Sequence, residues 1–575
     1  MKRVSIILIV GLFILALFPR CAKVVTPTGG PKDTLPPTLI RSNPSANAIN
    51  FSGQKIVFEF DEYIQLKDVQ QKMLISPPLK NRPQINPKGK RFEIEFIDTL
   101  KSNTTYTVYL GDAVEDNNER NPIKSFEFAF STGSVIDTLK LSGKVEDSFS
   151  REPVEGALVM LYDTFIDSLP YNQLPVHIAK TNKEGKFTVN NLKYLDYKLV
   201  IITDANSDYK YNQGVEDIAF FSEPIKKQQV LEPSSDLKLT LRTFREDLPY
   251  QIITGYNRPE RGLLELNFSR KPLGGFNLSC LNKPKENQWY LKEPDAQGDT
   301  VKVWLTSDII IAIDTLKVLV TYQKTDSLNR LHPQKDTLKF IFTDKIVDEK
   351  STRQRKKEKE ETIEQGFSFV TSVQNGKFAI PDQPFEFTLP KPAKKVDVSK
   401  IMILNETDSI LESQVELKVD SLNPRIYKFM KAWKPNSTYR MLVLPGCFEG
   451  IDKTTNDSLK LSFIGADPEN FGVLIAKTDS LSAGIIVDLL TDKGKLVSRK
   501  SSSDKKPITF SFIEPGKYKL RFIEDLNKNG EWDSGNYLKK IQPERVFEFT
   551  EGKNKGEINI RANWENEIVL SIPKP

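Results

Sequence analysis

Residues 100–133 read LKSNTTYTVYLGDAVEDNNERNPIKSFEFAFSTG, and this stretch decides the fold. From Thr105 to Leu110, and again from Ser125 to Phe130, apolar and polar residues alternate with period two, the pattern of strands with one dry face and one wet face. A polar turn at Lys101–Thr104 enters the first strand, and a loop rich in Asp and Asn separates it from the second. IVFEF at 56–60 and RFEIEF at 91–96 repeat the alternation. Breaks such as SPPLKNRPQINPKGK at 76–90 separate the runs at the spacing of a β-sandwich.

The unit recurs. WKPNSTYRMLVLPGCFEGIDKTTNDSLKLSFIG at 433–465 aligns with it, Asn436 matching Asn103 and Tyr439 matching Tyr106. A looser copy without that Asn and Tyr runs from LLELNFSRKP at 263 through DTLKVLVTYQ to DTLKFIFTD, ending at 344. With PPTLIRSNPSANAI, VFEFDEYI, LKSNTTYTV and FAFSTG, the first copy resembles the bacterial Ig-like domain of S-layer and envelope proteins. The other two resemble it more loosely.

A second repeat aligns YKLVIITDANSDYKYNQG, residues 197–214, with YKLRFIEDLNKNGEWDSG, residues 518–535, without a gap. Tyr197, Leu199, Asp204, Asn206 and Gly214 match Tyr518, Leu520, Asp525, Asn527 and Gly535, and Tyr211 corresponds to Trp532. Upstream of the first copy, Gly143, Val145, Asp147, Pro153, Val154, Gly156, Ala157, Gly185 and Phe187 carry elements that resemble the carboxypeptidase regulatory-like, prealbumin-like sandwich. That resemblance implies about seven strands and no catalytic residues of the fold's own.

The loop in this repeat has two readings. Asp525, Asn527, Asn529, Glu531 and Asp533 place oxygens at alternate positions around Gly530, as a calcium loop does. Asp204, Asn206 and Asp208 are the counterparts in the first copy, where Tyr209 replaces the glycine. Position 12 of the second loop is Asn536 rather than a bidentate Glu, and no flanking helix is predicted. The other reading is a strand-to-strand turn in which Asp and Asn side chains cap backbone N–H groups over a packed Tyr211 or Trp532. The expectation is no cofactor, with calcium as the alternative.

The expected order along the chain is a signal peptide at 1–20, a flexible tether at 21–35 and an Ig-like domain at 36–134. A prealbumin-like sandwich at 138–243, a divergent Ig-like domain at 248–345 and a charged linker at 346–366 follow. An Ig-like domain at 367–466 and a divergent prealbumin-like sandwich at 470–572 complete an all-β tandem array, expected to extend as a rod.

MKRVSIILIVGLFILALFPRC gives a basic start, about fifteen apolar residues and a Pro break, which is signal-peptide anatomy and short for a membrane span. Cys21 stands where a lipoprotein's acylated cysteine would, although Phe18, Pro19 and Arg20 replace the usual lipobox residues. Cleavage without acylation and an uncleaved anchor are the alternatives. An acylated Cys21 implies attachment to the outer membrane, facing the periplasm or the surface.

With 82 basic and 76 acidic residues dispersed along the chain, no concentrated field draws nucleic acid. Three cysteines without a CxxC pair give neither a zinc site nor a disulfide framework. The only histidines, His177 and His332, fall in Pro-flanked sequence and are expected in loops, leaving little material for nucleophilic catalysis. Asp followed by Ser or Thr and an aliphatic residue recurs at many predicted strand entries. It suits compact turns and also resembles an O-glycosylation sequon of exported proteins, with Thr34, Thr99, Thr138 and Ser458 as candidates.

The expected function is a non-enzymatic cell-envelope lipoprotein acting as scaffold, spacer or adhesive, with a protein or glycan partner in the envelope. The alternative is a glycan- or protein-binding surface module with weakly calcium-stabilised loops and an aromatic platform at Trp532 or Trp304.

Overall fold

The computed structural model describes residues 32–229, 239–282, 288–295, 297–326, 330–342, 366–381, 383–411, 415–478, 484–504, 506–549 and 556–570. The signal peptide, Cys21, most of the tether and the charged linker up to residue 365 lie outside the described residues. The protein is all-β. Its buried side chains form five main clusters, each drawn from one stretch of chain, with smaller clusters where those stretches meet.

In the first sandwich one sheet has the order Leu39–Asn43, Lys55–Phe60, Arg91–Glu95, Gln84–Lys88, and it faces Leu74–Ser76, Thr105–Gly111 and Phe126–Ser131. Alternation puts Phe58 opposite Phe92 in register, and their rings lie 4.7 Å apart between the sheets with Phe128 edge-on at 4.9 Å. The third sandwich has the same strand order: Ile253–Glu260, Leu263–Phe268, Thr300–Leu305, Tyr290–Pro294 against Phe276–Cys280, Thr315–Thr325, Leu331–Ile341. The fourth repeats it with Val370–Thr371, Phe385–Thr388, Ile426–Phe429, Lys418–Val419 against Ile401–Asn405, Thr438–Val443, Leu459–Gly465.

The Asn and Tyr shared by the first and fourth units have one physical cause. Asn103 and Asn436 take φ of 49° and 56°, the left-handed region that Asn tolerates better than most residues. The turn so formed lets the buried hydroxyls of Tyr106 and Tyr439 accept the N–H groups of Lys101 and Lys434 at 2.8 and 2.9 Å.

The second and fifth sandwiches share another topology. In the second, Lys186–Leu192, Leu139–Asp147 and Leu239–Arg245 are neighbours, the last pair parallel, and His177–Lys180, Leu158–Tyr162, Lys198–Ile202 and Asp217–Phe220 follow one another. In the fifth, Ile508–Ile513, Gly472–Thr478 and Glu565–Leu570 are neighbours, again ending in a parallel pair, beside Leu496–Ser502, Gly484–Thr491, Gly516–Asp525 and Val546–Glu548. The duplicated sequence thus lies on equivalent strands, Lys198–Ile202 and Gly516–Asp525.

The array is not a rod. LVMLY at 158–162 and KLVII at 198–202 are buried at every position, so the sheet of the second sandwich has two dry faces. Its inner face packs into its own core, and its outer face is covered by Tyr537 with Trp532 of the fifth sandwich and by Leu74 of the first. IIVDLL at 485–490 is buried on both faces as well. The chain doubles back because these outer faces need partners that a linear string of domains would not supply.

Candidate functional site: the paired Asp-Asn loops

Each loop follows the strand carrying the repeated Tyr-Lys-Leu, and each is closed from within. In the second loop, Asp525 is buried and its two carboxylate oxygens accept the N–H groups of Asn529 at 3.1 Å and Gly530 at 2.9 Å. The Asn527 side-chain oxygen also accepts the Asn529 N–H, and the Asn529 side-chain oxygen accepts the N–H of Glu531. The side-chain amides of Asn527 and Asn529 donate to one oxygen of Asp533 at 2.6 and 2.9 Å. In the first loop Asp204 accepts the Tyr209 N–H, Asn206 accepts that of Asp208, and Asp208 accepts that of Lys210.

Two further carboxylates complete the loops, and neither is in the aligned repeat. Glu216 accepts the N–H of Ala205 at 2.9 Å and of Asn212 at 3.0 Å. Glu544 accepts the N–H of Leu526 at 2.7 Å and of Asp533 at 3.0 Å. In both cases the donors are the residue after the leading Asp and the residue at the loop's ninth position. The two glutamates are structural equivalents, hidden in the sequence because the second loop carries extra residues before returning to its strand. Burial pushes the Glu544 carboxyl upward against the pull of its N–H donors, with Asp533 and Asp525 adding to the rise. Burial likewise raises Asp204, one of whose oxygens is enclosed without a hydrogen-bond partner.

The oxygens that a calcium ion would need in the second loop are already engaged: those of Asp525 and Glu544 by backbone N–H groups, and one of Asp533 by two asparagine amides. The present geometry turns the amide N–H groups of both asparagines toward Asp533, which is a set of donors where a cation needs acceptors. Glu531 points away and pairs with Lys271 of the third sandwich at 3.2 Å.

The extra residues of the second loop reach the second sandwich. Tyr537 is buried among Phe220, Tyr171 and Tyr211, and its N–H donates to Glu246 at 2.7 Å. The other oxygen of Glu246 accepts the Tyr211 hydroxyl at 2.6 Å. Ser534 donates to the Arg245 carbonyl and Gln542 to that of Phe220. Gly535 has no room for a side chain, since a Cβ there would lie 2.7 Å from the Phe244 ring. Beside this contact Asp488, fully enclosed, is held by Arg499 and Arg521, and the Arg521 guanidinium stacks on Phe149 of the second sandwich at 4.2 Å.

Other residues singled out by the sequence fall elsewhere. Trp304 is buried and donates its indole N–H to Glu293, and Trp532 packs against Phe149 and donates to the Glu544 carbonyl. Neither is an exposed platform. His177 and His332 lie on strands rather than in loops, because His177 faces the first sandwich beside Ser76 and His332 pairs with Lys324 across a long hairpin. Thr34, Thr99, Thr138 and Ser458 are all exposed, and Thr138 and Ser458 immediately precede the strands Leu139–Asp147 and Leu459–Gly465. Among the described residues no cluster of His, Cys, Asp and Glu could hold a metal, and no helix is long and apolar enough to cross a membrane.

The first sandwich is identified by family: residues 33–132 match the description Bacterial Ig-like domain. No curated protein matches the chain in sequence. Among solved structures, the Bacillus anthracis TIE protein is 11% identical, with 95% of this chain and 75% of that one covered and a TM-score of 0.15. The S-layer protein rSbsC(31-844) is 9% identical over 90% of this chain and 67% of that one, at 0.14. BcpA, the major pilin subunit of Bacillus cereus, is 10% identical over 75% and 98%, at 0.13. At such scores the chains do not superpose as wholes.

Proposed function

We propose that this protein is a non-enzymatic scaffold of the bacterial cell envelope, exported by its N-terminal segment and held at the outer membrane by lipid on Cys21. The second and fifth sandwiches are read as prealbumin-like modules. The observation that carries the scaffold reading is the use made of the paired loops: the most polar, chemistry-bearing stretch of the sequence clamps two distant sandwiches together through Tyr537 and Glu246. The bacterial Ig-like domain at residues 33–132 supports an envelope setting. Two buried titratable groups fit structural work. Burial lowers His177 to about 4 and raises the Cys447 thiol to about 12, leaving neither poised for proton transfer or nucleophilic attack near neutral pH.

Expression of the full chain and of Cys21→Ser in a Gram-negative host, with an alkyne-tagged fatty acid supplied, tests the anchor. The unmodified chain should carry label and sediment with outer membranes, and the variant should do neither. An unlabelled, soluble wild-type protein would remove the lipoprotein reading.

A further inference from the structure

Where the second and fifth sandwiches meet, a cavity of about 740 Å³ opens between Leu239–Arg242 and residues 542–546. The strand Asp217–Phe220 pairs with Leu239–Arg245 only through Asp217 and Ile218, so the first half of that long strand has no ladder neighbour on this side among the described residues. Phe220, Ile225, Pro543 and Val546 give the cavity apolar walls.

Its polar lining includes both signs of charge, Lys226, Arg242 and Arg545 with Glu223 and Glu544. Arg242 and Ser148 line it, and the Arg242 Nε and Ser148 Oγ are enclosed without a hydrogen-bond partner. Arg151, whose charge acts on Arg242, has an enclosed Nη1 in the same condition. Glu146, the register neighbour of Arg242, already holds Lys144 at 2.9 Å and Arg151 at 3.1 Å. Arg545, from the fifth sandwich, is matched by Glu524 at 2.7 Å. Both oxygens of Glu544 are taken by backbone N–H groups, and Glu223 at the rim faces solvent. Burial, aided by Arg151, holds the Arg242 guanidinium below its ordinary range. Enclosed donors without acceptors are costly, and these lie beside apolar walls.

We propose that this cleft binds a small amphipathic anion, its carboxylate or phosphate monoester meeting the part-exposed Arg242 side chain and its apolar body lying along Phe220, Ile225 and Val546. The planar fork of Arg242 suits either anion, and the walls suit an alkyl or aryl chain. The site exists only when the two sandwiches are docked, so ligand and docking stabilise one another.

Calorimetric titration of the full chain with dodecanoate, dodecyl phosphate, dodecanol and inorganic phosphate tests this. One or both anionic amphiphiles should bind saturably, one per chain, and whichever is tighter names the headgroup. Dodecanol and inorganic phosphate should each bind about tenfold more weakly or worse. Arg242→Leu should weaken the anionic amphiphile about tenfold, while Arg242→Lys, which keeps the charge and loses the fork, should fall between the two. Thr240→Glu, at an exposed lining position, sets a carboxylate beside Arg242 and should weaken binding similarly whether or not Arg242→Leu folds. Absence of saturable binding, equal binding of dodecanol, or affinity unchanged in Thr240→Glu would overturn the proposal.

Discussion

The backbone N–H of Tyr537 donates to the Glu246 carboxylate at 2.7 Å across 291 residues of chain. Glu246 is 2% exposed and serves the Tyr211 hydroxyl with its other oxygen, so one side chain satisfies a donor from each sandwich. Glu246→Ala leaves both donors enclosed without acceptors and should cost about 2–4 kcal/mol in urea denaturation. Glu246→Gln, which keeps one acceptor, should cost roughly half as much. A change below about 0.5 kcal/mol in Glu246→Ala would mean that the two sandwiches do not dock in solution.

Tyr537 supplies the apolar part of the same contact. Its ring lies 5.1 Å from Phe220 and covers an outer sheet face that would otherwise meet water. Tyr537→Ala should destabilise by about 3–5 kcal/mol and increase binding of a hydrophobic dye at once. Dye binding equal to wild type would show that the face is covered by something else.

The fold was legible where one face of a sheet is wet and obscure where both are dry. RFEIEF and SFEFAF alternate because Glu93, Glu95 and Glu127 stand on their sandwich's outer face, which announces strand and core side together. LVMLY and IIVDLL do not alternate, and their burial on both faces requires a covering module that the expected rod left out. Of the loop, the capping role of Asp204 and Asp525 could be read from turn chemistry. Glu216 and Glu544 could not, because they lie at different distances from the leading Asp and only the fold makes them equivalent. Arg242 gave no signal at all, being one Arg in a polar strand until a distant sandwich closes over it.

Asp488 with Arg499 and Arg521 tests the other half of the junction. The carboxylate is fully enclosed and below its ordinary range: burial alone would raise it, and the two guanidinium partners outweigh that. Asp488→Ala leaves the mostly buried Arg521 and the part-exposed Arg499 without their shared acceptor and should cost about 2–3 kcal/mol by urea unfolding, less than for a pair wholly out of water. In a double-mutant cycle, Arg521→Ala and Phe149→Ala should couple by about 0.5–2 kcal/mol, since the guanidinium lies over that ring. Additive effects would show the stacking to be without energetic weight.

His177 makes stability fall in mild acid. Burial is the main cause of its depressed pKa of about 4, with Lys193 and Lys101 adding repulsion. Between about pH 6.5 and 4 the unfolded chain binds a proton there that the folded chain does not, so this contribution is fully present above the upper value and is lost as pH falls. The loss at pH 4 should approach about 3 kcal/mol, and His177→Gln should flatten that limb of the stability profile. Identical slopes for wild type and variant between pH 4 and 6.5 would contradict the burial of a neutral imidazole.

The loops themselves should close without an ion. Both oxygens of Asp525 and both oxygens of Glu544 already accept backbone N–H groups, and the amides of Asn527 and Asn529 turn their N–H groups toward Asp533. A ligand that binds only the folded state must raise the melting temperature. The melting temperature should therefore be the same in chelator and in millimolar calcium, while Glu216→Gln and Glu544→Gln each lower stability by about 1–2 kcal/mol through loss of one N–H acceptor. A rise of several degrees in calcium that vanishes in Asp533→Asn, but survives in Asp208→Asn, would instead assign the ion to the second loop.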